Sequence, residues 1–225
     1  MSKLTNLNKG TVQGIVRTLV QDGFLQQSYE TRKYQLGINL YELGTFSVGC
    51  LEITQRASAP AQDLAIRTDH NVRVAILDKD SVMVILGAYS KLEGFFFRQL
   101  GPRAPLYCSS LGKAILAFLD PIELEKCLER IKFIPHTANT ITSKEGLLRV
   151  IDEIRKQGYS VNSEERLFGR AAIAAPIFDR QKKLIASICL AGHPKDIFGK
   201  NMENLIAEVK HTALEISFQL GYTVS

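Results

Sequence analysis

The chain predicts an α+β fold assembled from a partial winged helix-turn-helix, a linking helix and a larger α/β unit with a mostly antiparallel sheet. Three observations lead there. A helical pattern followed by two short extended runs around a basic tip occupies the first 37 residues. Strand and helix patterns then alternate to the C-terminus, with tight polar turns between neighbouring strands. Across 225 residues, 45% hydrophobic and 23% charged side chains supply enough apolar surface for one large core or two small ones, which excludes a disordered or collagenous chain.

Asn8 supplies an N-cap for a helix whose apolar residues Val12, Ile15, Val16, Leu19 and Val20 repeat at helical spacing into one stripe, and Asp22-Gly23 ends it. Its other face carries Lys9, Gly10, Thr11, Gln13, Gly14, Arg17 and Thr18, with no acidic group before Asp22. Leu25 to Gln27 and Tyr34 to Leu36 read as strands flanking a polar tip with Arg32 and Lys33. From Ile38 to about Arg56 a second helix is apolar on several sides (Leu40, Tyr41, Leu43, Phe46, Leu51), so it is buried or packs against another chain. Pro60 is expected to break that pattern, with a short helix through Leu64 to Thr68 beyond it.

The remainder alternates. Val72 to Ile76 and Val82 to Leu86 form a hairpin across Asp78-Lys79-Asp80, and Phe95 to Phe97 suggest a third strand. Asp120-Pro121 starts a helix through Leu128. Thr142 to Glu145 has the spacing of a capping box for a helix over Leu148, Ile151 and Ile154 to Gly158. Tyr159 to Val161, Ala172 to Phe178 and Leu184 to Leu190 are further strands, and a helix over Leu205, Val209, Ala213, Ile216 and Leu220 ends the chain.

A helix entering the major groove needs hydrogen-bonding side chains near its N-terminus and an apolar stripe behind, which Lys9, Thr11, Gln13 and Arg17 meet. A solvated surface helix has the same pattern. A full helix-turn-helix packs three helices, of which only the last is legible, with Met1 to Thr5 as the end of the second. The stripe would then lie partly exposed, and the expectation is an upstream start or a shortened chain with impaired DNA binding.

The formal charge of +5, from 28 Lys+Arg against 23 Asp+Glu, permits a polyanionic partner without requiring one. No apolar run approaches the roughly 18 residues of a membrane span, and the N-terminus lacks a signal-peptide pattern, so a cytoplasmic protein is expected. Four cysteines without a C-x-x-C pair and four scattered histidines imply reduced, mostly buried thiols, no metal and no cofactor.

Two further constellations stand out. Ser109-Ser110-Leu111-Gly112-Lys113 precedes an apolar run and lacks the upstream glycine of a P-loop, so it reads as a helix N-terminus able to hold a carboxylate. Glu164 and Glu165, adjacent in an extended segment, face opposite sides and read as a charged solvent edge or a dimer contact. Cys108 and Ser110 lack a recognisable histidine partner, so no catalytic residue is assigned and no enzyme is expected.

In order and spacing these segments resemble the IclR family of transcription regulators. The resemblance runs from Leu7-Asn8-Lys9-Gly10-Thr11-Val12 and Arg17 to Leu25, through Tyr34 to Gly37 and Ser110 to Ala117, to Gly158-Tyr159-Ser160-Val161 and Gly169 with Ile173 to Ile177. It implies a partial winged helix-turn-helix over residues 1–37, a linker helix pairing subunits over 38–58, and a GAF-like effector-binding domain over 59–225. It further implies double-stranded operator DNA and a small organic acid or aromatic effector as partners. A homodimer or homotetramer, mostly acting as a repressor, follows as well. Carried over by motif, the effector positions fall on Ser110, Leu111, Asn162, Ala172, Cys189 and Ala191. Members that bind small carboxylates resemble one another in having an acid at 162, a thiol at 172 and hydroxyls at 189 and 191. An amide, a methyl, a thiol and a methyl stand here instead, which predicts an anion-tolerant pocket with an apolar far side and a ligand with one carboxylate on a less polar body. The alternative is a small-molecule sensor that does not bind DNA because its first helix is missing.

Overall fold

A computed structural model of the chain describes residues 5–89 and 103–223. They divide into two compact units, one ending at Leu51 and the other beginning at Glu52. The expected strand at Phe95 to Phe97 lies outside the described residues.

The first unit holds α1 (Lys9–Gln21), β1 (Leu25–Gln27), β2 (Tyr34–Leu36) and α2 (Asn39–Gly49). Asn8 caps α1 as expected, its side chain accepting from the Thr11 amide at 2.8 Å. Gly23 follows in the left-handed region, at φ 70°. β1 and β2 pair antiparallel, Leu25 opposite Leu36. The α1 stripe is not fully buried: Val12, Val16 and Leu19 are half-buried, while Ile15 and Val20 are exposed. The long helix expected from Ile38 to Arg56 is instead two helices parted at Cys50-Leu51. α2 is not buried either, and Ile38, Tyr41, Leu43 and Phe46 are all exposed.

The second unit opens with α3 (Glu52–Thr68), which runs straight through Pro60, contrary to the expected break. The reason is the stripe Ile53, Ala57, Pro60, Ala61 and Leu64, which keeps helical spacing across the proline and is buried throughout. Burial of that stripe against α8 (Met202–Gln219) offsets the roughly 3 kcal/mol that an interior proline costs a helix. Arg67 of α3 clamps Glu208 of α8 at 3.0 Å.

α3 and α8 together cover one face of a six-stranded antiparallel sheet in the order β5 (Arg103–Pro105), β4 (Ser81–Ala88), β3 (Asn71–Asp78), β8 (Leu184–Gly192), β7 (Ala171–Phe178), β6 (Ser160–Ser163). Its other face is covered by α4 (Ser110–Phe118), and behind that by α5 (Pro121–Arg130) and α6 (Lys144–Gln157). Leu106, Ile115, Leu116, Leu124, Leu128, Leu147, Ile151 and Ile154 form the core there. The cap of α6 is Ser143, which accepts from the Gly146 amide, so the capping box expected from Thr142 does not form: Glu145 falls at the second helical position rather than the third. α7 (Pro194–Ile197) is a single turn ahead of α8. No helix among the described residues is long and apolar enough to cross a membrane.

Candidate functional site

Register builds the site. Asn162, Ala172, Ala191 and Asn71 stand opposite one another in a row across β6, β7, β8 and β3. Directly opposed residues share a face, and so do residues two apart on a strand, so Cys189 lies beside Ala191 on that face and opposite Arg73 of β3. The start of α4 crosses the same face and is tied down by buried hydroxyls and an amide. Ser160 donates to the Ser110 carbonyl at 2.6 Å, Asn162 Nδ2 to the Cys108 carbonyl at 2.8 Å, and Ser187 to the Leu111 carbonyl at 3.1 Å. Ser109 caps the helix by accepting from Gly112 N–H, and its carbonyl accepts from Lys113 N–H. The amides of Ser110 and Leu111 are then the first of α4, where helix geometry provides no intrahelical acceptor and the dipole favours an anion.

What remains between sheet and helix start is a cavity of about 100 Å³. All six expected effector positions, Ser110, Leu111, Asn162, Ala172, Cys189 and Ala191, line it. The cavity exists because its floor is cut short: Ala172 and Ala191 end at Cβ where larger side chains would fill the space. Val84, Ala104 and Leu167 add apolar wall.

Sequence reasoning missed the charge. Arg73, Arg103, Arg166 and Arg170 line the cavity, and among the described residues no acidic side chain joins them. Burial lowers the Arg73 pKa, without approaching neutrality at physiological pH for a guanidinium. Arg103 is anchored by Asp78 at 2.5 Å and Ser81 at 2.9 Å, and its carbonyl accepts from Arg166 at 3.3 Å. Arg73 gave no local signal because its pocket neighbour, Cys189, comes from a strand far along the chain.

The expectation for Glu165 is corrected. Glu164 and Glu165 do diverge, but Glu165 turns inward and pairs with Lys113 of α4, with only 8% and 2% of these residues exposed. A left-handed backbone at Glu164 (φ 55°) bends the segment out of the extended form that the solvent-edge reading assumed. Glu164 meanwhile accepts from the Gly169 amide at 2.6 Å, closing the loop on itself.

The thiols are ill suited to nucleophilic chemistry. Burial pushes both Cys108 and Cys189 up to about 11, so each is protonated at neutral pH. A thiol kept protonated to higher pH in the fold than in the unfolded chain contributes stability that is complete below about pH 9 and lost as pH rises through about 11. Urea titrations should therefore show stability falling between those values by roughly 2–3 kcal/mol for Cys189. Cys189→Ala should flatten that fall, and an identical pH slope would disprove the assignment. Cys127 is also buried, whereas Cys50 is exposed. No cluster of metal-ligating side chains occurs among the described residues.

In the first unit Lys9, Thr11, Gln13 and Arg17 are all exposed on α1. Lys9, Gln13 and Arg17, four residues apart, share one stripe, with Thr11 on the far side of the polar face. Arg32 and Lys33 are exposed at a hairpin tip fixed by Arg32 N–H to the Ser28 carbonyl and Ser28 N–H to the Lys33 carbonyl.

The family model of the bacterial transcriptional regulator IclR C-terminal domain matches residues 45–218. The chain belongs to the IclR family. This IclR-family chain is 31% identical to the HTH-type transcriptional regulator XynR of Escherichia coli (strain K12) over 222 residues, covering 99% of this chain and 88% of that one. Identity to the HTH-type transcriptional regulator KdgR of Escherichia coli (strain K12) is also 31% over 222 residues, covering 99% of this chain and 84% of the relative. The crystal structure of the Thermotoga maritima IclR superposes with a TM-score of 0.81 at 28% identity, over 98% of this chain and 89% of that one. As an IclR-family member the protein is a transcription regulator and not an enzyme.

Proposed function

We propose that this protein is a ligand-responsive, DNA-binding repressor whose effector domain binds a small organic acid. The observation that carries the reading is the cavity: six motif-matched positions converge at the N-terminus of α4, four arginines line the space, and no carboxylate does among the described residues. An acid with one carboxylate on an apolar body suits both features, its charge meeting amides and guanidiniums and its body meeting the alanine floor. The HTH-type names of XynR and KdgR support the DNA-binding half. α1 is the helix for the major groove and the β1–β2 tip the wing, with Lys9, Thr11, Gln13, Arg17, Arg32 and Lys33 on DNA. The exposed apolar residues of α2 supply a surface for a second copy of the chain, giving a homodimer or a homotetramer.

Fluorescence anisotropy on a duplex from the protein's own promoter, at two salt concentrations and with non-specific competitor, tests the reading. Tight, salt-dependent, selective binding relieved by benzoate or isovalerate is expected; binding indifferent to every monocarboxylate overturns the effector assignment. Arg17→Ala should cost about 1–3 kcal/mol if Arg17 reads a base, and unchanged affinity at both salts removes it from the interface. Replacing Arg32 and Lys33 by Ala should flatten the salt slope by up to about 2, at about 1 per phosphate contact. A slope equal to that of the parent protein means the tip faces away from DNA.

A further inference from the structure

We propose that the buried Lys113–Glu165 ion pair is a positioning pair for the anion cavity, tying the arginine-bearing loop 164–170 to the first turn of α4 so that guanidiniums and helix amides converge on one ligand group. The inference rests on reading that cavity as the effector site.

The placement of the two residues argues for it first. Lys113 lies directly after Ser110, Leu111 and Gly112, the turn whose amides begin α4. Glu165 directly precedes Arg166 and Leu167, and with Arg170 these are the loop residues that line the cavity. Neither Lys113 nor Glu165 lines it. The pair therefore joins the two ligand-facing elements from behind, through side chains that do not themselves reach the ligand.

The other ties of the loop run to different elements. Thr137 donates to the Glu164 carbonyl at 2.7 Å, Thr140 to the Glu165 carbonyl at 2.6 Å, and Asn139 to the Ser163 carbonyl at 3.2 Å. These fix the base of the loop to the segment ahead of α6. The ion pair ties the loop to α4, and Arg166 ties it to β5 by donating to the Arg103 carbonyl at 3.3 Å.

Energetics argue for it second. Taking an ammonium and a carboxylate out of water costs more than their attraction returns unless every remaining polar atom is satisfied. Here it is not: Glu165 Oε2 is buried without a hydrogen-bond partner among the described residues. An apolar pair of similar volume would hold the fold as well or better. What it would not supply is a fixed direction, since an ion pair sets where loop and helix meet to within a hydrogen-bond length.

The test compares the 225-residue chain with Lys113→Met/Glu165→Met, with Lys113→Leu/Glu165→Met in reserve should the first not fold. Two readouts are taken beside the Tm: amide exchange of the loop in the ligand-free protein, and calorimetric affinity for benzoate and isovalerate. The expected result is a Tm held within about 5 °C, exchange at Glu164 and Gly169 at least tenfold faster with β7 unchanged, and acid affinity at least tenfold weaker. Unchanged loop exchange overturns the positioning role, and so does parental affinity for the acids. If the parent protein binds neither acid, the effector reading fails on its own, and the exchange readout still decides whether the pair holds the loop.

Discussion

Glu165→Ala is expected to destabilise the protein by about 3–5 kcal/mol, measured by urea unfolding at neutral pH. The substitution leaves Lys113, 2% exposed, as a charge in the interior with its carboxylate removed. Burial already lowers the Lys113 pKa and raises that of Glu165, so each depends on the other to stay ionised. Replacing both with apolar residues should restore most of the loss, because the penalty belongs to the unpaired charge rather than to the missing attraction. A loss under about 1 kcal/mol for the single variant would mean that Lys113 finds water or another acceptor, and that the pair is not isolated from solvent.

Gly112→Ala is expected to cost about 3 kcal/mol or more and to weaken acid binding with it. An added Cβ would stand 2.4 Å from the Leu106 carbonyl oxygen, 2.5 Å from its Cα and 2.8 Å from its carbonyl carbon. All three are backbone atoms, so the contact cannot be relieved by a rotamer change and the turn from Leu106 to Ser110 must move. That turn carries Cys108 and Ser109 and sets the start of α4, so the displaced atoms are those that wall the cavity. Gly146→Ala supplies the contrast: its Cβ would meet the Ser143 and Ile141 side chains at 3.1 and 3.5 Å, in the first turn of a helix where alanine is favoured. Its unfolding free energy should stay within about 1 kcal/mol of the parent, and two equal effects would show that the Leu106 contact is not the cause.

Local chemistry was readable wherever it is settled by neighbours in sequence. Asn8 and Asp120 cap the helices they precede, because a side-chain oxygen two or three residues from an amide needs no tertiary help. The hairpins at Asp78 to Ser81 and Asp179 to Lys183 form where polar turn residues separate apolar runs. Motif positions also converge: residues as far apart as Ser110 and Ala191 line one cavity, as the family resemblance implied. Pro60 marks where local rules give out. Proline alone argues for a break, and only the buried stripe on both sides of it shows why the helix continues.

The sequence by itself therefore determined the α+β class, the starts of α1 and α5 and the hairpins, since these follow from periodicity and capping, while the cavity positions came from the family resemblance. The tertiary structure alone decided the charge of that cavity and the fate of Glu165. Arg73 meets Cys189 through antiparallel register between β3 and β8, and Glu165 finds Lys113 across 52 residues of chain. Neither meeting leaves a trace in local pattern, because an ionised side chain looks solvent-exposed until the fold removes the water and supplies the opposite charge.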